Sequence, residues 1–329
     1  MKNILEKLIE HQTLTKEEAY TSLKRLISGE TPAEQIAAFT TVFLMRSITV
    51  DEIYGFRRAL LDLSRNVDLP NEVVDIVGTG GDGKNSFNIS TTTAFVVAGA
   101  GYKVVKHGNV SVTSPSGSSD LFSSLGVKFN TEKSINQKSL ERANIAFLHA
   151  PLFNEGMKRV APVRNALAVR TLFNILGPLI SPIQPKHQLL GVYSLALFKL
   201  YTYSYQHTAT NFCVVHSLDG YDEISLTSSF ITSTPKGERI YAPEELGMHQ
   251  IDPLALSIQS KEDAKEIFLK VLKGEATQEQ ESAVLANAAF AIRLFENKKG
   301  IEDCLSIARE SIKSGAAYRN LKQFITLNT

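Results

Sequence analysis

The β-branched run at residues 73–77, which ends in a cluster of glycines, constrains the fold more than any other feature. Three valines and one isoleucine lie in this run, and four of the next six residues, 78–83, are glycine. β-Branched side chains favour a buried strand, whereas clustered glycines permit a tight turn. A helix is predicted from about Ser90. A strand, a glycine loop and a helix in this order are typical of a sheet covered by helices.

The same alternation continues along the chain. Further strands are predicted at residues 103–105, 145–148, 189–192 and 212–216. Helices are predicted at residues 118–125, 136–143, 155–176, 261–272 and 278–295. Strands that alternate with helices imply a mainly parallel sheet flanked by helices, so the predicted fold class is α/β.

The first 65 or so residues contain helical patterns and no strand-like run. Three predicted helix starts each carry Thr at the N-cap and Glu three residues later, as in a capping box: Thr15 with Glu18, Thr31 with Glu34, and Thr49 with Glu52. Pro32 suits a first helical turn, and Gly29 is expected to end the helix before it. We predict a small helical domain at residues 1–66, a polar linker at 65–71 and a large α/β domain at 71–329.

Composition excludes several classes of partner. The 329-residue chain has 35 basic and 34 acidic residues and a net charge of +1, which gives no electrostatic footprint for nucleic acid or an anionic membrane. Cys213 and Cys304 stand far apart without a metal or disulfide motif, which favours a reducing compartment. The N-terminus has no apolar signal core, and the longest apolar stretch, near residues 94–101, is too short to span a membrane. A cytoplasmic protein is expected.

Two nucleotide-binding motifs match the glycine cluster only in part. Gly78, Gly80 and Gly83 satisfy the spacing of a dinucleotide fingerprint, but the acidic residue expected about 20 positions later is absent. Gly78, Gly83 and Lys84 satisfy most of a P-loop, but Asn85 occupies the position of the magnesium-binding Ser or Thr. A glycine loop that precedes a helix still suits an anion. We therefore predict a phosphate-bearing ligand other than NAD or ATP.

Five sequence blocks in order resemble the anthranilate phosphoribosyltransferases of tryptophan biosynthesis. They are residues 75–82; 87–91; 106–109 with 116–118 and Asp120; 161–164 with 170–174 and 176–179; and 219–223. Weaker similarity extends over roughly residues 30–320. The resemblance implies transfer of the phosphoribosyl group of phosphoribosyl pyrophosphate to anthranilate, with Mg²⁺ as cofactor.

The resemblance also implies a fold of the nucleoside-phosphorylase/anthranilate-phosphoribosyltransferase type. A later segment near residues 165–180 would join the helical domain, the active site would lie in the cleft between the domains, and the chain would be a homodimer. No nucleic-acid or membrane partner is implied.

Site residues follow from the matching blocks. Phosphoribosyl pyrophosphate is expected at Gly78, Gly81, Asp82, Ser86, Asn88, Ile89, Ser90, Thr91, Lys106, His107, Gly108, Asn109, Ser114 and Ser118. Anthranilate is expected at Gly78, Asn109 and Arg164, and Mg²⁺ at Ser90, Asp222 and Glu223. No side chain is assigned as a catalytic acid or base, because an arylamine is already neutral at pH 7. Arg170 is interpreted as structural.

Several departures from the family pattern cluster on the acceptor side: Val110, Asn154, Glu155, Gly156, Asn165 and Ala168. They leave acceptor selectivity open. One alternative is a pyrimidine nucleoside phosphorylase-like enzyme, which would not need Asp222 and Glu223. Another is a non-catalytic paralogue that binds a ligand or nucleic acid, for which a basic surface would be expected.

Overall fold

The computed structural model describes residues 1–111, 114–206 and 208–329. These residues form two compact units. Unit 1 contains residues 1–67 and 150–184, and unit 2 contains residues 68–149 and 185–329. The later segment of unit 1 thus begins at Ala150, earlier than the predicted start near residue 165.

In chain order the helices and strands are α1 (Lys2–Ile9), α2 (Lys16–Ile27), α3 (Ala33–Met45), α4 (Val50–Asp62), β1 (Val74–Gly78), α5 (Ile89–Gly99), β2 (Val104–Gly108), α6 (Ser118–Ser124), α7 (Lys133–Arg142), β3 (Ile145–His149), α8 (Ala150–Phe153), α9 (Gly156–Leu167), α10 (Leu172–Leu176), β4 (His187–Gly191), α11 (Leu195–Tyr205), β5 (Asn211–Ser217), β6 (Phe230–Thr234), β7 (Gly237–Tyr241), α12 (Lys261–Lys273), α13 (Gln278–Phe295), α14 (Ile301–Lys313) and α15 (Ala316–Asn328).

Unit 1 is helical, and its later segment packs onto its earlier one. Helix α9 contacts α2 and α3, while α10 contacts α3 and α4. Within the earlier segment, the rings of Phe39 and Phe43 of α3 and Phe56 of α4 have centroids 5.1–5.8 Å apart. Such tilted and edge-to-face aromatic pairs stabilise a core beyond the area that they bury. Helices α9 and α10 therefore fold as part of unit 1 although about 80 residues of unit 2 precede them in the chain.

Two of the three predicted capping boxes are present. Thr15 and Thr49 cap α2 and α4, each with the reciprocal glutamate contact, and these predictions are confirmed. The box at Thr31 is wrong, because the Thr31 hydroxyl donates to the carbonyl of Arg25 (2.9 Å) at the end of α2. Pro32 occupies the N-cap of α3. Gly29 follows the end of α2 with a φ of +90°, as predicted.

Unit 2 contains a seven-stranded sheet in the order β3-β2-β1-β4-β5-β6-β7. The first five strands in chain order pair in parallel, and β6 and β7 extend the sheet in the antiparallel direction. The α/β class is confirmed, and the five predicted strands match β1 to β5. The antiparallel pair was not predicted, because the short runs 230–234 and 237–241 are more polar than the parallel strands.

The core of unit 2 is centred on α5 and α13. Phe95 of α5 makes edge-to-face contacts with Phe122, Phe268 and Phe324, at centroid distances of 5.6–6.0 Å. This fixes α5, and therefore the loop that precedes it, against the helices behind the sheet. Among the described residues, no helix is long and apolar enough to cross a membrane.

The strand order reverses beside β1. The chain proceeds from β1 to β2 and β3 on one side, whereas β4 and β5 lie on the other. In open α/β sheets, the crevice at the carboxyl ends of the strands at such a point is where ligands bind. The glycine loop that follows β1 begins at this position.

Ala168 of unit 1 has a strained backbone conformation. Ala168 follows α9 with φ +52° and ψ +26° and is exposed. The left-handed conformation costs a residue with a Cβ about 1–2 kcal/mol, a cost that glycine avoids. The strain is thus a consequence of one of the departures from the family pattern.

Ala168→Gly should stabilise the protein. Relief of the strain exceeds the gain in unfolded-chain entropy of about 0.4–1 kcal/mol, so the net increase in unfolding free energy should be about 0.5–1 kcal/mol. Ala166→Gly, at an exposed position inside the last turn of α9, is the matched control and should destabilise by up to about 1 kcal/mol. Chemical denaturation would measure the change in unfolding free energy of each variant. If both variants gained or both lost stability, the assignment of strain to Ala168 would be contradicted.

Candidate active site

Three adjacent parallel strands of unit 2 end in glycine: β1 at Gly78, β2 at Gly108 and β4 at Gly191. A Cβ on Gly78 would lie 2.3 Å from Asp222 Oδ2, and one on Gly191 would lie 1.6 Å from the Asp222 carbonyl oxygen. These separations are far below contact distance. Glycine at the two strand ends therefore allows the turn after β5 to lie directly against the sheet edge.

The carboxylates of that turn are held by backbone amides of the glycine loop and of α5. Gly80 N donates to Asp222 Oδ2 at 2.6 Å, and Ser90 N donates to Glu223 Oε1 at 2.8 Å. The two predicted metal carboxylates are thus brought to the carboxyl edge of β1. Ser90, the third predicted ligand, is beside Glu223.

Hydrogen bonds from serine and threonine hydroxyl groups fix the turn at residues 219–223. Asp219 accepts hydrogen bonds from Thr227 Oγ1 (2.5 Å) and Ser228 Oγ (2.9 Å). Ser217 Oγ donates to the Glu223 carbonyl oxygen at 2.7 Å. Sequence reasoning did not assign these hydroxyl residues to the site. The serine- and threonine-rich composition of residues 225–229, close after Glu223, was the available signal.

Carboxyl groups are concentrated at this edge. Burial, together with the neighbouring charges of Asp82 and Glu223, raises the pKa of Asp222 well above its usual value. Burial also raises the pKa of Glu223, to about 7, against the effect of its hydrogen bonds from Ser90. Two buried carboxyl groups whose ionisation is opposed by burial and by a third, Asp82, indicate a place for a cation.

The donor set fits magnesium. Asp82 Oδ2 is buried and accepts no hydrogen bond, and all the nearby donors are hard oxygens. No group of three or more His, Cys, Asp or Glu side chains in the described part of the chain forms a protein-only metal site. Magnesium suits this arrangement because it usually retains waters and binds substrate phosphates through only one or two carboxylates.

Lys106 is buried beneath the site. Its ammonium donates to the Ile76 carbonyl oxygen at 2.5 Å and to Ser90 Oγ at 3.3 Å. Burial lowers the pKa of Lys106, although the nearby Asp75, Glu223 and Asp222 favour the charged form. A lysine at the end of a strand could equally have been on the surface, and here it is 3% exposed.

Several other predicted residues have buried side chains. The side chains of Ile89 and Thr91 are buried, at 0% and 1% exposure. They lie in the first turn of α5, where the helix dipole favours an anion. The amides of Ile89 and Ser90 already donate to the Phe87 carbonyl oxygen (2.6 Å) and to Glu223 Oε1 (2.8 Å). His107 is also buried, and burial lowers the pKa of its ring to about 4, so the ring is neutral at pH 7. Its backbone amide donates to Asp75 Oδ1 at 3.2 Å.

Other polar groups of the glycine loop and α5 have unused capacity. Asn88 Oδ1 and Thr79 Oγ1 are buried without a hydrogen-bond partner. Asn88 Nδ2 donates to the Ser116 carbonyl oxygen at 3.1 Å, which ties the start of α5 to the loop after β2. Gly81 has a positive φ, and Ser86 forms an isolated bridge with Ser257.

The loop after β2 is organised by Asp120. Its Oδ2 accepts hydrogen bonds from the amides of Ser111 (2.9 Å) and Gly117 (3.0 Å), and its Oδ1 pairs with Lys261 (2.7 Å). Burial opposes ionisation of Asp120, but these partners outweigh it and lower its pKa. The loop is therefore fixed by an acid that belongs to one of the matching blocks.

Four predicted ligand residues lie in this loop or at its two ends. Ser114 Oγ is 2.7 Å from Ser111 Oγ, and Ser118 Oγ donates to the Asn109 carbonyl oxygen at 3.4 Å. Gly108 immediately precedes Asn109 at the end of β2. The family pattern at 106–114 also includes Val112 and Thr113, which lie outside the described residues.

Arg164, the predicted carboxylate-binding residue, is in α9 of unit 1. It is partly buried, its guanidinium lies 5.6 Å from the centroid of the Phe173 ring, and burial lowers its pKa. A guanidinium remains charged in proteins, and stacking on an aromatic ring fixes its plane. Gly78 and Asn109, the other predicted acceptor residues, belong to unit 2.

Comparison with known proteins agrees with this geometry. The family model described as "glycosyl transferase family, helical bundle domain" matches residues 2–64, and the one described as "glycosyl transferase family, a/b domain" matches residues 70–318. An anthranilate phosphoribosyltransferase of Bacteroides fragilis is 54% identical over 330 residues, which cover 100% of both chains.

Two solved structures are similar over almost the whole chain. The anthranilate phosphoribosyltransferase of Thermus thermophilus has a TM-score of 0.91 and 32% identity, and covers 98% of each chain. That of Saccharomyces cerevisiae, in complex with phosphoribosyl pyrophosphate and Mg, has a TM-score of 0.91 and 29% identity, over 98% of this chain and 96% of that one. Identity of 54% over the full length, with both family models matched in order, shows that the chain belongs to the anthranilate phosphoribosyltransferase family.

Proposed function

We propose that this chain transfers the phosphoribosyl group of phosphoribosyl pyrophosphate to anthranilate, in tryptophan biosynthesis. The anthranilate nitrogen forms a bond to C1 of the ribose while the bond from C1 to the pyrophosphate oxygen breaks. The amine loses one proton, and pyrophosphate leaves with the bonding electrons. The observation that carries the proposal is the acidic turn that lies against glycine-ended strands where the strand order reverses.

The donor would bind along the glycine loop and the N-terminus of α5. Residues 78–82 and 88–91 would lie against the pyrophosphate and phosphate oxygens, because a glycine loop permits close approach and a helix N-terminus favours an anion. The amides of Gly80 and Ser90 are engaged by Asp222 and Glu223. The unpartnered side-chain oxygens of Asn88 and Thr79 supply further polar contacts. Lys106, buried beneath the loop, would supply positive charge that the nearby Asp75, Glu223 and Asp222 favour. These groups would orient C1 toward the acceptor.

Asp222, Glu223 and Ser90 would hold magnesium. When bound, the ion supplies positive charge that neutralises the departing pyrophosphate. The backbone amides of Gly80 and Ser90 orient the two carboxylates, and the hydroxyl network behind Asp219 fixes the turn. The chain's own contribution is therefore preorganisation of acidic groups that would otherwise repel one another.

Arg164 would recognise the acceptor through its carboxylate. A planar guanidinium pairs with a planar carboxylate through two parallel hydrogen bonds, and contact with Phe173 already restricts its orientation. The acceptor needs no strong base, because an arylamine has a free lone pair at pH 7. Assignment of Arg164, Gly78 and Asn109 to one acceptor site is part of the proposal.

We further propose that the protein acts as a cytoplasmic homodimer assembled through unit 1. The support is a set of large apolar side chains in unit 1 that are 43–79% exposed: Ile9, Leu44, Met45, Tyr54 and Leu63. Exposed apolar surface of this kind is typical of subunit contacts.

The metal assignment is tested by the double variant Asp222→Asn/Glu223→Gln. These changes keep the side-chain shapes but remove both charges, so turnover should fall at least about a hundredfold. The adjacent exposed pair Glu302 and Asp303 of α14 provides the matched control, Glu302→Gln/Asp303→Asn, which should retain parental turnover. Pyrophosphate release is the measurement. Parental turnover in the first variant, insensitive to EDTA, would refute the assignment.

The acceptor assignment is tested by Arg164→Ala. Loss of a bidentate, charge-assisted contact should raise the Michaelis constant for anthranilate about tenfold to a hundredfold, equivalent to roughly 1.5–3 kcal/mol. The Michaelis constant for phosphoribosyl pyrophosphate should change much less. Arg170→Ala, at an exposed arginine close by in the chain, is the control.

Steady-state kinetics with anthranilate, methyl anthranilate and aniline would complete this test. The parent protein should strongly prefer anthranilate, because only anthranilate carries a free carboxylate. Equal use of aniline by the parent would remove anthranilate from the proposal. An Arg164→Ala effect confined to phosphoribosyl pyrophosphate would place Arg164 on the donor side.

A further inference from the structure

Lys84 of the glycine loop does not have the role that a P-loop lysine would have. Its ammonium lies over the ring of Tyr221, 4.8 Å from the ring centroid. Lys84 Cε is 3.6 Å from the point where a Cβ on Gly220 would stand, so the aliphatic stem passes across this glycine. Tyr221 is 2% exposed and directly precedes the metal-site residue Asp222. The Lys84–Tyr221 contact thus joins the loop to the acidic turn.

This contact is the second attachment between the two segments. The first is the hydrogen bond from Gly80 N to Asp222 Oδ2. Between these attachments lies Asp82, whose Oδ1 accepts a hydrogen bond from Lys84 N at 3.0 Å. Fixing Lys84 therefore also restricts the orientation of the Asp82 carboxylate beside Asp222.

We propose that Lys84 and Tyr221 are positioning residues that hold the glycine loop in its donor-binding conformation. The inference rests on the proposed function, because it concerns the same phosphoribosyl pyrophosphate site. Gly80, Gly81 and Gly83 all have positive φ, and glycine loses more conformational freedom on ordering than any other residue. A contact that orders the loop before the donor arrives removes part of this entropic cost from binding.

The contact should act on binding of the donor and not on the chemical step. Lys84→Met keeps most of the stem but removes the charge over the ring. The Michaelis constant for phosphoribosyl pyrophosphate should rise about three- to tenfold, as expected for a partly buried cation–π contact, with kcat within about twofold of the parent. Lys84→Arg should restore the parental value, because arginine also binds to an aromatic face.

Variants of the ring separate this role from direct contact of Lys84 with phosphate. Tyr221→Phe retains the ring and should behave as the parent, whereas Tyr221→Leu should raise the Michaelis constant as Lys84→Met does. The double variant Lys84→Met/Tyr221→Leu should be no worse than either single variant. A Lys84→Met effect without a Tyr221→Leu effect would overturn the proposal, as would parental values in both.

Lys322→Met is the matched control. Lys322 lies over the Tyr318 ring of α15 at 5.2 Å, so the variant removes the same kind of contact outside the glycine loop. It should leave both kinetic constants unchanged. An effect equal to that of Lys84→Met would show a general loss of stability and contradict the positioning role.

Hydrogen exchange of the ligand-free protein distinguishes failure of this inference from failure of the proposed function. Amides of residues 79–85 should exchange about three- to tenfold faster in Lys84→Met than in the parent, and at the parental rate in Lys322→Met. This result does not depend on any substrate. Unchanged exchange would overturn the contact's ordering role, whereas faster exchange in Lys84→Met together with no turnover by the parent would refute only the proposed function.

Discussion

The close approach of the Asp222 turn to the ends of β1 and β4 is the constraint on which the rest of the site depends. It requires that neither Gly78 nor Gly191 carries a side chain. Once the turn occupies this position, Gly80 N reaches the Asp222 carboxylate and Ser90 N reaches Glu223. Displacement of the turn by a single methyl group would separate both pairs. The strand-end glycines are therefore determinants of the acidic site as well as of the loop.

Electrostatics explains why an acidic turn lies beside a loop suited to phosphate. Burial, together with the neighbouring charge of Asp82, raises the pKa of Asp222 and of Glu223. Such a cluster would repel pyrophosphate, so carboxylates and substrate are compatible only with a cation between them. Lys106 alone cannot balance three acids. The arrangement therefore accounts for the magnesium dependence implied by the family. It also agrees with the finding that the described residues contain no metal site formed by three or more His, Cys, Asp or Glu side chains.

Much of the fold could be predicted because local patterns and packing agree. The run at 73–77 is both β-branched and buried in the sheet, and Thr15 and Thr49 cap helices as their spacing indicates. Prediction failed where a tertiary or non-local partner was decisive. Thr31 bonds to a carbonyl of the preceding helix instead of capping its own. The strands β6 and β7 lack an apolar run, because much of the β7 edge strand is exposed.

In the candidate site, too, local motifs could be predicted from the sequence, whereas features set by non-local contacts could not. Motif blocks led to the prediction of Asp222, Glu223 and Lys106, but burial of Lys106 and the hydroxyl network behind Asp219 depend on contacts that no spacing reveals. The pairing of Lys84 with Tyr221 is of this kind, because the two residues are far apart in sequence.

The most direct test of the central claim is pyrophosphate release from phosphoribosyl pyrophosphate in the presence of Mg²⁺, measured with and without anthranilate. The account predicts one pyrophosphate for each N-(5-phosphoribosyl)anthranilate formed and negligible release without the amine; release that is absent, or equal in both conditions, would contradict it.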